Sequence, residues 1–264
     1  MNPRAPTSWT CGLVTGASSG IGKALATKLA AGGTNLVLVA RSTERLEELA
    51  RELRSRHRVE VEVLSADLAD AGDLARVEDR LVVGPAIDLL VNNAGFGTWG
   101  PLSTLDVDTE ARLITVHCTA LLRLTHAALV GMLERERGTV LNISSLGSLQ
   151  PGPLCATYVA TKAFVTSFSE SLYEEVRGTG VSVTVALPGF TRTEFQARSG
   201  ADAATVPDFL WQTGDQVAAE ALSAAGKGRA LVITGFGNRV GGSLIDRLPH
   251  RVKRRAAGLV TRRL

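Results

Sequence analysis

A single-domain, doubly wound α/β fold is predicted: a parallel sheet of about seven strands with helices on both faces. Two observations lead to it. Apolar runs of strand length alternate along the chain with segments of helical periodicity, the pattern of a parallel sheet. The first of these runs leads into a glycine turn, TGASSGIG at residues 15–22, from which a strongly helical segment starts, an arrangement typical of Rossmann-like sheets. Length agrees, because 264 residues with 45% apolar content can bury one large core, and no repeat, low-complexity tract or linker divides the chain.

Strands are expected at residues 10–15, 35–40, 59–64, 87–91, 138–144, 181–187 and 230–233. Residues 23–31 form the helix after the glycine turn. Residues 44–56 carry Leu46, Leu49 and Leu53 at helical spacing behind Ser42 or Thr43 as the cap. Residues 106–134 are read as one long helix with a broad apolar face. Residues 155–178 are read as another, closed by Gly178. Residues 190–214 have little periodicity and are expected to be a lid or substrate loop. The domain runs over residues 10–246, between a flexible N-terminus at 1–9 and a basic tail at 247–264.

Composition narrows the function classes. Cys11, Cys118 and Cys155 are odd in number and lack CxxC spacing, which argues against a disulfide framework or a zinc site, and no metal is expected. A cytoplasmic setting fits, because the first nine residues lack a signal-peptide core and no uninterrupted apolar run approaches ~18 residues. Of the net charge of +3 the tail alone holds +7 (Arg247, Arg251, Lys253, Arg254, Arg255, Arg262, Arg263), which leaves −4 for residues 1–246. The tail can be a solvated or subunit-packing extension, since Pro249 and Gly258 interrupt a long helix. It can also be a membrane-surface or anionic-partner segment with Leu248, Val252, Leu259 and Val260 as its apolar face. Nucleic acid is not an expected partner, for no aromatic residue interleaves with these charges.

The chemistry begins at the glycine turn. Gly16, Gly20 and Gly22, spaced GxxxGxG, allow the backbone to approach a pyrophosphate whose charge the following helix N-terminus stabilises. After the second strand, where an NAD site wants an acid for the ribose hydroxyls, the chain reads Ala40, Arg41, Ser42. With no carboxylate to repel a 2′-phosphate and a guanidinium to clamp it, NADP(H) is the expected cofactor. Further on, Tyr158 and Lys162 in YVATK project from one helix face one turn apart. A phenol beside an ammonium is expected to ionise more readily, which suits a proton donor and acceptor. Ser145 stands thirteen residues before the tyrosine, with Ser144 and Ser148 as alternatives. Hydride transfer to a ketone builds charge on its oxygen, which serine and tyrosine hydroxyls can meet.

TGASSGIG, NNAG at 92–95, Ser145, YVATK and PGFTRT at 188–193 occur in the order seen in the single-domain short-chain dehydrogenase/reductases, and the chain resembles that family from about Thr10 to Thr193. The resemblance implies a homodimer or homotetramer that transfers hydride between NADP(H) and a carbonyl or alcohol. Tyr158 would be the general acid, Ser145 would donate to the substrate oxygen, and Lys162 would bind the nicotinamide ribose and lower the tyrosine pKa. Ser18, Ser19 and Ile21 of the turn, Arg41, Asp67 and Leu68, Asn93, Ala94 and Gly95, and Pro188, Gly189, Thr191 and Thr193 would line the cofactor. Asp67 would reach the adenine, and Thr193 the nicotinamide amide or the phosphates. One departure stands out. Where relatives carry an asparagine that links the lysine to solvent through a water, this chain has His117. Histidine could carry that relay with a titration near neutral pH, or pack between helices and leave it impaired.

Phe96, Thr98 and Trp99, residues 146–154 and residues 190–211 are the expected pocket, apolar enough for a lipophilic ketone, aldehyde or secondary alcohol. Competing readings are a nucleotide sensor or scaffold with weak catalysis, and a sugar-nucleotide epimerase, which normally needs a larger substrate domain than the stretch after Thr193.

Overall fold

The computed structural model of the chain describes residues 8–199 and 207–261. In chain order it runs β1 (Cys11–Thr15), α1 (Gly20–Ala31), β2 (Asn35–Ala40), α2 (Thr43–His57), β3 (Val61–Ser65), α3 (Ala71–Val82) and β4 (Leu89–Asn92). Then come α4 (Val107–Ile114), a π-helical turn (Thr115–Ala120), α5 (Leu121–Glu134), β5 (Gly138–Ile143), a 3-10 turn (Leu146–Leu149), α6 (Ala156–Glu175) and β6 (Val181–Leu187). The C-terminal part holds β7 (Thr191–Arg192), α7 (Glu194–Ser199), β8 (Gln212–Thr213), α8 (Gly214–Gly226), β9 (Leu231–Ile233), α9 (Phe236–Asp246) and α10 (His250–Thr261). Seven strands form one parallel sheet in the order β3-β2-β1-β4-β5-β6-β9.

Each face of the sheet buries its own apolar layer. On one side Leu25 and Leu29 of α1, Leu46, Leu49 and Leu53 of α2 and Ala218 and Ala221 of α8 pack on Val14, Leu38 and Val91. On the other, Leu74 and Val77 of α3 and Leu124, Ala128 and Met132 of α5 pack on Leu13, Leu90 and Val140. Strands covered on both faces must be apolar throughout, which is why they read as continuous runs rather than alternations. The strand order reverses between β1 and β4, and the crevice beyond their carboxyl ends is where such sheets bind ligands.

Several expectations need correction. Trp9, placed by sequence in a flexible N-terminus, donates its indole N–H to Thr139 Oγ1 at 3.1 Å; residues 1–7 lie outside the described part. α6 ends at Glu175 with Val176 as its cap, and Gly178 (φ +86°) sits two residues after that cap in the turn that enters β6. The long helix is capped by Asp106, whose carboxylate accepts from Thr109 N–H at 2.9 Å, and is interrupted by the π-helical turn. Over Val107–Glu134 it is long and apolar enough to cross a bilayer by composition, but its apolar stripe is buried on the sheet. Residues 190–214 are not a plain loop, for β7 pairs with β8 (Thr191↔Gln212) around α7; residues 200–206 lie outside the described part. Pro249 separates α9 from α10, whereas Gly258 lies inside α10 without ending it. Arg262 and Arg263 and the side chains of Leu259 and Val260 lie outside the described part.

A polar ladder crosses the sheet centre. Register places Asn92 beside Asn142, and the Asn92 amide donates to Asn142 Oδ1 (2.9 Å) and Thr125 Oγ1 (3.0 Å). Asn142 in turn donates to Ser169 Oγ at 2.8 Å. Asn142 and Ser169 are wholly buried, so a missing partner leaves polar groups without water. Asn142→Ala is expected to lower unfolding free energy by roughly 2–4 kcal/mol, more than Asn92→Asp or surface controls, in urea titrations followed by circular dichroism.

Candidate active site

The carboxyl ends of β1 and β4 are held together by one hydroxyl. Thr15 Oγ1 accepts from the Asn93 and Ala94 amides (2.9 and 3.0 Å) and donates to Val91 O at 3.2 Å. The Asn93 side chain closes the clasp, donating to Thr15 O (2.9 Å) and Gly16 O (3.3 Å). Space here admits no side chain at the glycines. A Cβ on Gly16 would lie 2.9 Å from the Ala94 Cα, and one on Gly22 would collide with the Gly16 carbonyl. Gly16 (φ +67°) and Gly20 (φ +55°) also adopt the left-handed backbone that glycine favours.

This cradle fits a pyrophosphate. Ser19 is the N-cap of α1 but makes no side-chain cap bond, so the first amides of the helix remain available to an anion. Ser18, Ser19, Gly20 and Ile21 are partly exposed around that opening. Ala17 N–H bonds Val39 O at 3.2 Å, which brings the end of β2 alongside the turn, and exposed Arg41 follows it. The Arg41 guanidinium takes no partner among the described residues. Asp67 follows β3 with buried Leu68 behind it. Its carboxylate is ion-paired with Arg112 and accepts from Ala69 N–H at 3.0 Å. Thr193 approaches from the opposite side, with its methyl 3.3 Å from where a Gly20 Cβ would stand. Thr191 Oγ1 bonds Gly189 O at 3.0 Å, and Pro188 O accepts from Leu146 N–H at 2.8 Å, tying the PG turn to the segment after Ser145.

The three serines at the end of β5 separate by environment. Ser144 is buried and bonds Lys162 O and Thr166 Oγ1, both at 2.8 Å, and Ser148 Oγ accepts from Thr166 at 3.0 Å. Ser145 caps the 3-10 turn by accepting from Gly147 N–H at 3.1 Å, and its hydroxyl lies close enough to the Tyr158 phenol to favour the phenol's ionised form. Of the three, Ser145 is the one whose hydroxyl acts on the Tyr158 phenol.

Electrostatics around Tyr158 and Lys162 differ from the sequence expectation. Burial pushes the Tyr158 phenol up to about 12, and the Ser145 hydrogen bond opposes this in part. Burial also lowers Lys162 to about 8, against a smaller opposing influence of Cys118. The ammonium donates to Ile143 O at 2.9 Å and stands 5.8 Å from the centre of the tyrosine ring. Helical spacing puts both groups on one face, but burial is the largest cause of both shifts and pushes the phenol away from ionisation rather than toward it.

His117 is buried to 2% exposure in the π-helical turn, a distortion that turns its ring inward. Nε2 accepts from Phe96 N–H at 3.1 Å, and Nδ1 lies 2.8 Å from Thr161 Oγ1, which itself donates to Tyr158 O at 2.8 Å. That network assigns a neutral ring with its proton on Nδ1. Burial, aided by the Lys162 charge, holds its pKa well below the usual histidine value. Of the two readings of His117 this geometry fits the packing one, for the ring fastens the loop after NNAG to the helix that carries Tyr158. Gly95 has no Cβ because that imidazole occupies the space, 2.6 Å away.

The expected pocket segments meet above Tyr158. Gly100 N–H bonds Leu154 O at 2.7 Å, and Phe195 of α7 stacks at a tilt on Tyr158, 5.5 Å between ring centres, while filling the space beside Gly97. Phe190 packs on Trp211 at 5.6 Å. Phe195 lies in the stretch 190–211 expected to form the pocket, whereas sequence reasoning missed Thr15, Thr161 and Asn142. Thr161 had a usable signal, three residues after Tyr158 on the same helix.

The chain matches the short chain dehydrogenase family over residues 10–204. A very-long-chain 3-oxoacyl-CoA reductase of Bos taurus is 38% identical over 186 residues, 69% of this chain and 59% of that protein. The chain thus spans about three fifths of the length of the curated relatives it matches. Among solved structures, a short-chain dehydrogenase from Sphingobium yanoikuyae in complex with NADPH superposes with a TM-score of 0.82 at 35% identity, covering 90% of this chain and 96% of that one. The bulky-bulky ketone specific alcohol dehydrogenase from Comamonas testosteroni gives 0.78 at 30% identity, covering 94% and 96%.

The locked imidazole has a measurable sign. An unfolded histidine takes up a proton below its ordinary pKa of 6.5 and folded His117 does not. Its contribution is therefore fully present above that pH and falls by up to ~1.4 kcal/mol per pH unit below it. His117→Asn is expected to flatten the acid-side fall in unfolding free energy between about pH 7 and about pH 5, measured in urea. It should leave the positions of the ionisations in the pH–rate profile unchanged; a lost ionisation there would restore the relay reading.

Proposed function

This chain belongs to the short-chain dehydrogenase family, and on that premise we propose that it is an NADP(H)-dependent reductase of ketones with bulky apolar substituents. The observation that carries the reading is the convergence of three groups: Tyr158 and Lys162 on one face of α6, with Nζ 5.8 Å from the tyrosine ring, and Ser145 at the end of β5 beside the phenol. The bound nicotinamide supplies hydride. Ser145 and Tyr158 receive the carbonyl oxygen, so the negative charge that grows there meets two hydroxyl donors. Tyr158 passes its proton to that oxygen, and Lys162 beside it stabilises the phenolate left behind. A phenol held up to about 12 carries its proton at neutral pH, so the donor form is the one present when a carbonyl binds. Gly16, Gly20, Gly22 and the α1 N-terminus hold the pyrophosphate and Arg41 the 2′-phosphate; Ser18, Ser19, Asp67, Asn93 and Thr193 line the remainder.

Substrate size follows from the lining. Phe96 and Phe195, whose rings pack on His117 and Tyr158, offer apolar surface beside the phenol, which suits a ketone flanked by hydrocarbon. The names of two similar proteins agree, one acting on very-long-chain 3-oxoacyl-CoA and the other on bulky ketones. Exposed Leu122, Val130 and Leu133 of α5 and Phe164 of α6 form the surface through which a homodimer would pair.

Tyr158→Phe is expected to lower kcat/KM for NADPH oxidation by roughly 10²–10⁴ against bulky aryl ketones and a 3-oxoacyl thioester. NADPH affinity, read by fluorescence, should stay within about threefold because the phenol belongs to the proton step. Arg41→Ala should weaken NADPH by roughly tenfold to a hundredfold, the value of a charge-assisted hydrogen bond, and leave NADH nearly unchanged. Equal losses for both cofactors would remove the 2′-phosphate assignment.

A further inference from the structure

We propose that α9 and α10 form a docking face for an anionic lipid surface. α9 has two apolar faces. One packs inward: Gly242 lies so close to Leu146 and Ile233 that a Cβ would stand 2.7 and 2.9 Å from their methyl groups, and Asn238 fills the space over Gly189. The other presents Phe236, Val240 and Leu244, one turn apart, at 80%, 59% and 64% exposure. Nothing in the chain covers this stripe among the described residues. Isolated exposed apolar residues are ordinary, but three in register on one helix form a patch.

The charge beside the stripe selects its occupant. Arg247, between the two helices, and Arg251, Arg254 and Arg255 of α10 are exposed and pair with no acid among the described residues. Residues 247–264 contain no acid at all. Lys253 is the exception in this group: it is 7% exposed and donates to Leu149 O at 3.1 Å, which pins α10 to the 3-10 turn that α9 also covers. An apolar stripe flanked by unpaired arginines matches the boundary between acyl chains and anionic headgroups. A second copy of the chain fits less well, because a two-fold contact through α9 would set two arginine clusters against each other. Nucleic acid would satisfy the arginines and leave aliphatic Val240 and Leu244 uncovered.

Both helices seat on Leu146–Leu149, immediately after Ser145. If the reductase reading holds, docking sets the substrate opening beside the lipid in which an apolar ketone partitions. The docking itself does not depend on that reading.

The test is co-sedimentation of the full chain with vesicles of phosphatidylcholine alone and of phosphatidylcholine with phosphatidylglycerol, at low and high salt. Phe236→Ser with Leu244→Ser, and Arg251→Glu with Arg254→Glu and Arg255→Glu, are run beside the parent. Melting temperature and NADPH affinity serve as fold checks independent of turnover. The parent is expected to sediment with anionic vesicles only, and high salt or either variant should weaken this by at least roughly tenfold. Absence of sedimentation, binding insensitive to both variants, or conversion of a dimer to a monomer by the α9 substitutions would each overturn the proposal.

Discussion

The Thr15–Asn93 clasp is the constraint on which the rest of the site depends. A parallel sheet ends its strands at a rim of unpaired backbone groups, and at the reversal between β1 and β4 two such ends must approach without water between them. One buried hydroxyl takes two amides and gives its proton to a third group, and one side-chain amide takes the carbonyls of the glycine turn. The turn is therefore fixed from the β4 side as well as from β1. Its glycines answer a steric demand of that clasp as much as the needs of a phosphate, since Gly16 and Gly22 lie against Asn93, Ala94 and each other.

From this rim the order propagates outward. The segment leaving the clasp reaches Gly95 and Phe96, where His117 takes the Phe96 amide and passes the constraint through Thr161 to the backbone of Tyr158. From the other side, Pro188 O holds the amide of Leu146, the residue after Ser145. Tyr158 and Ser145 are thus positioned by separate hydrogen-bonded routes that begin at the same sheet edge. Burial then sets their chemistry: it keeps the phenol protonated and reduces the basicity of Lys162, two shifts in opposite directions with one cause.

Much of this was legible in the sequence. Placement of the seven strands of the main sheet came within two residues at each boundary because doubly covered strands are continuous apolar runs, and Asn35–Ala40 and Val181–Leu187 coincide with expectation. That Tyr158, Lys162 and Ser145 come together in space was legible because helical spacing and an ordered set of motifs point to the same residues. What escaped was tertiary. Sequence spacing puts an ammonium beside a phenol, but only the fold shows Lys162 turned to Ile143 O and both groups desolvated. A π-helical turn has no clear sequence mark, so the inward rotation of His117 and its two partners could not be read from its position. The role of Asn142 depends on register across β4 and β5, which one strand does not encode.

The central claim, hydride transfer to a ketone with Tyr158 as proton donor, is tested most directly by isotope transfer. Single turnovers with NADPH deuterated at the transferring carbon would be followed by mass spectrometry of the product from a bulky apolar ketone. Deuterium at the carbinol carbon in the parent, with none on the same timescale in Tyr158→Phe, is the predicted result. NADPH that binds but transfers no label to any ketone in the panel, or label transfer that survives loss of the phenol at an undiminished rate, would contradict the account.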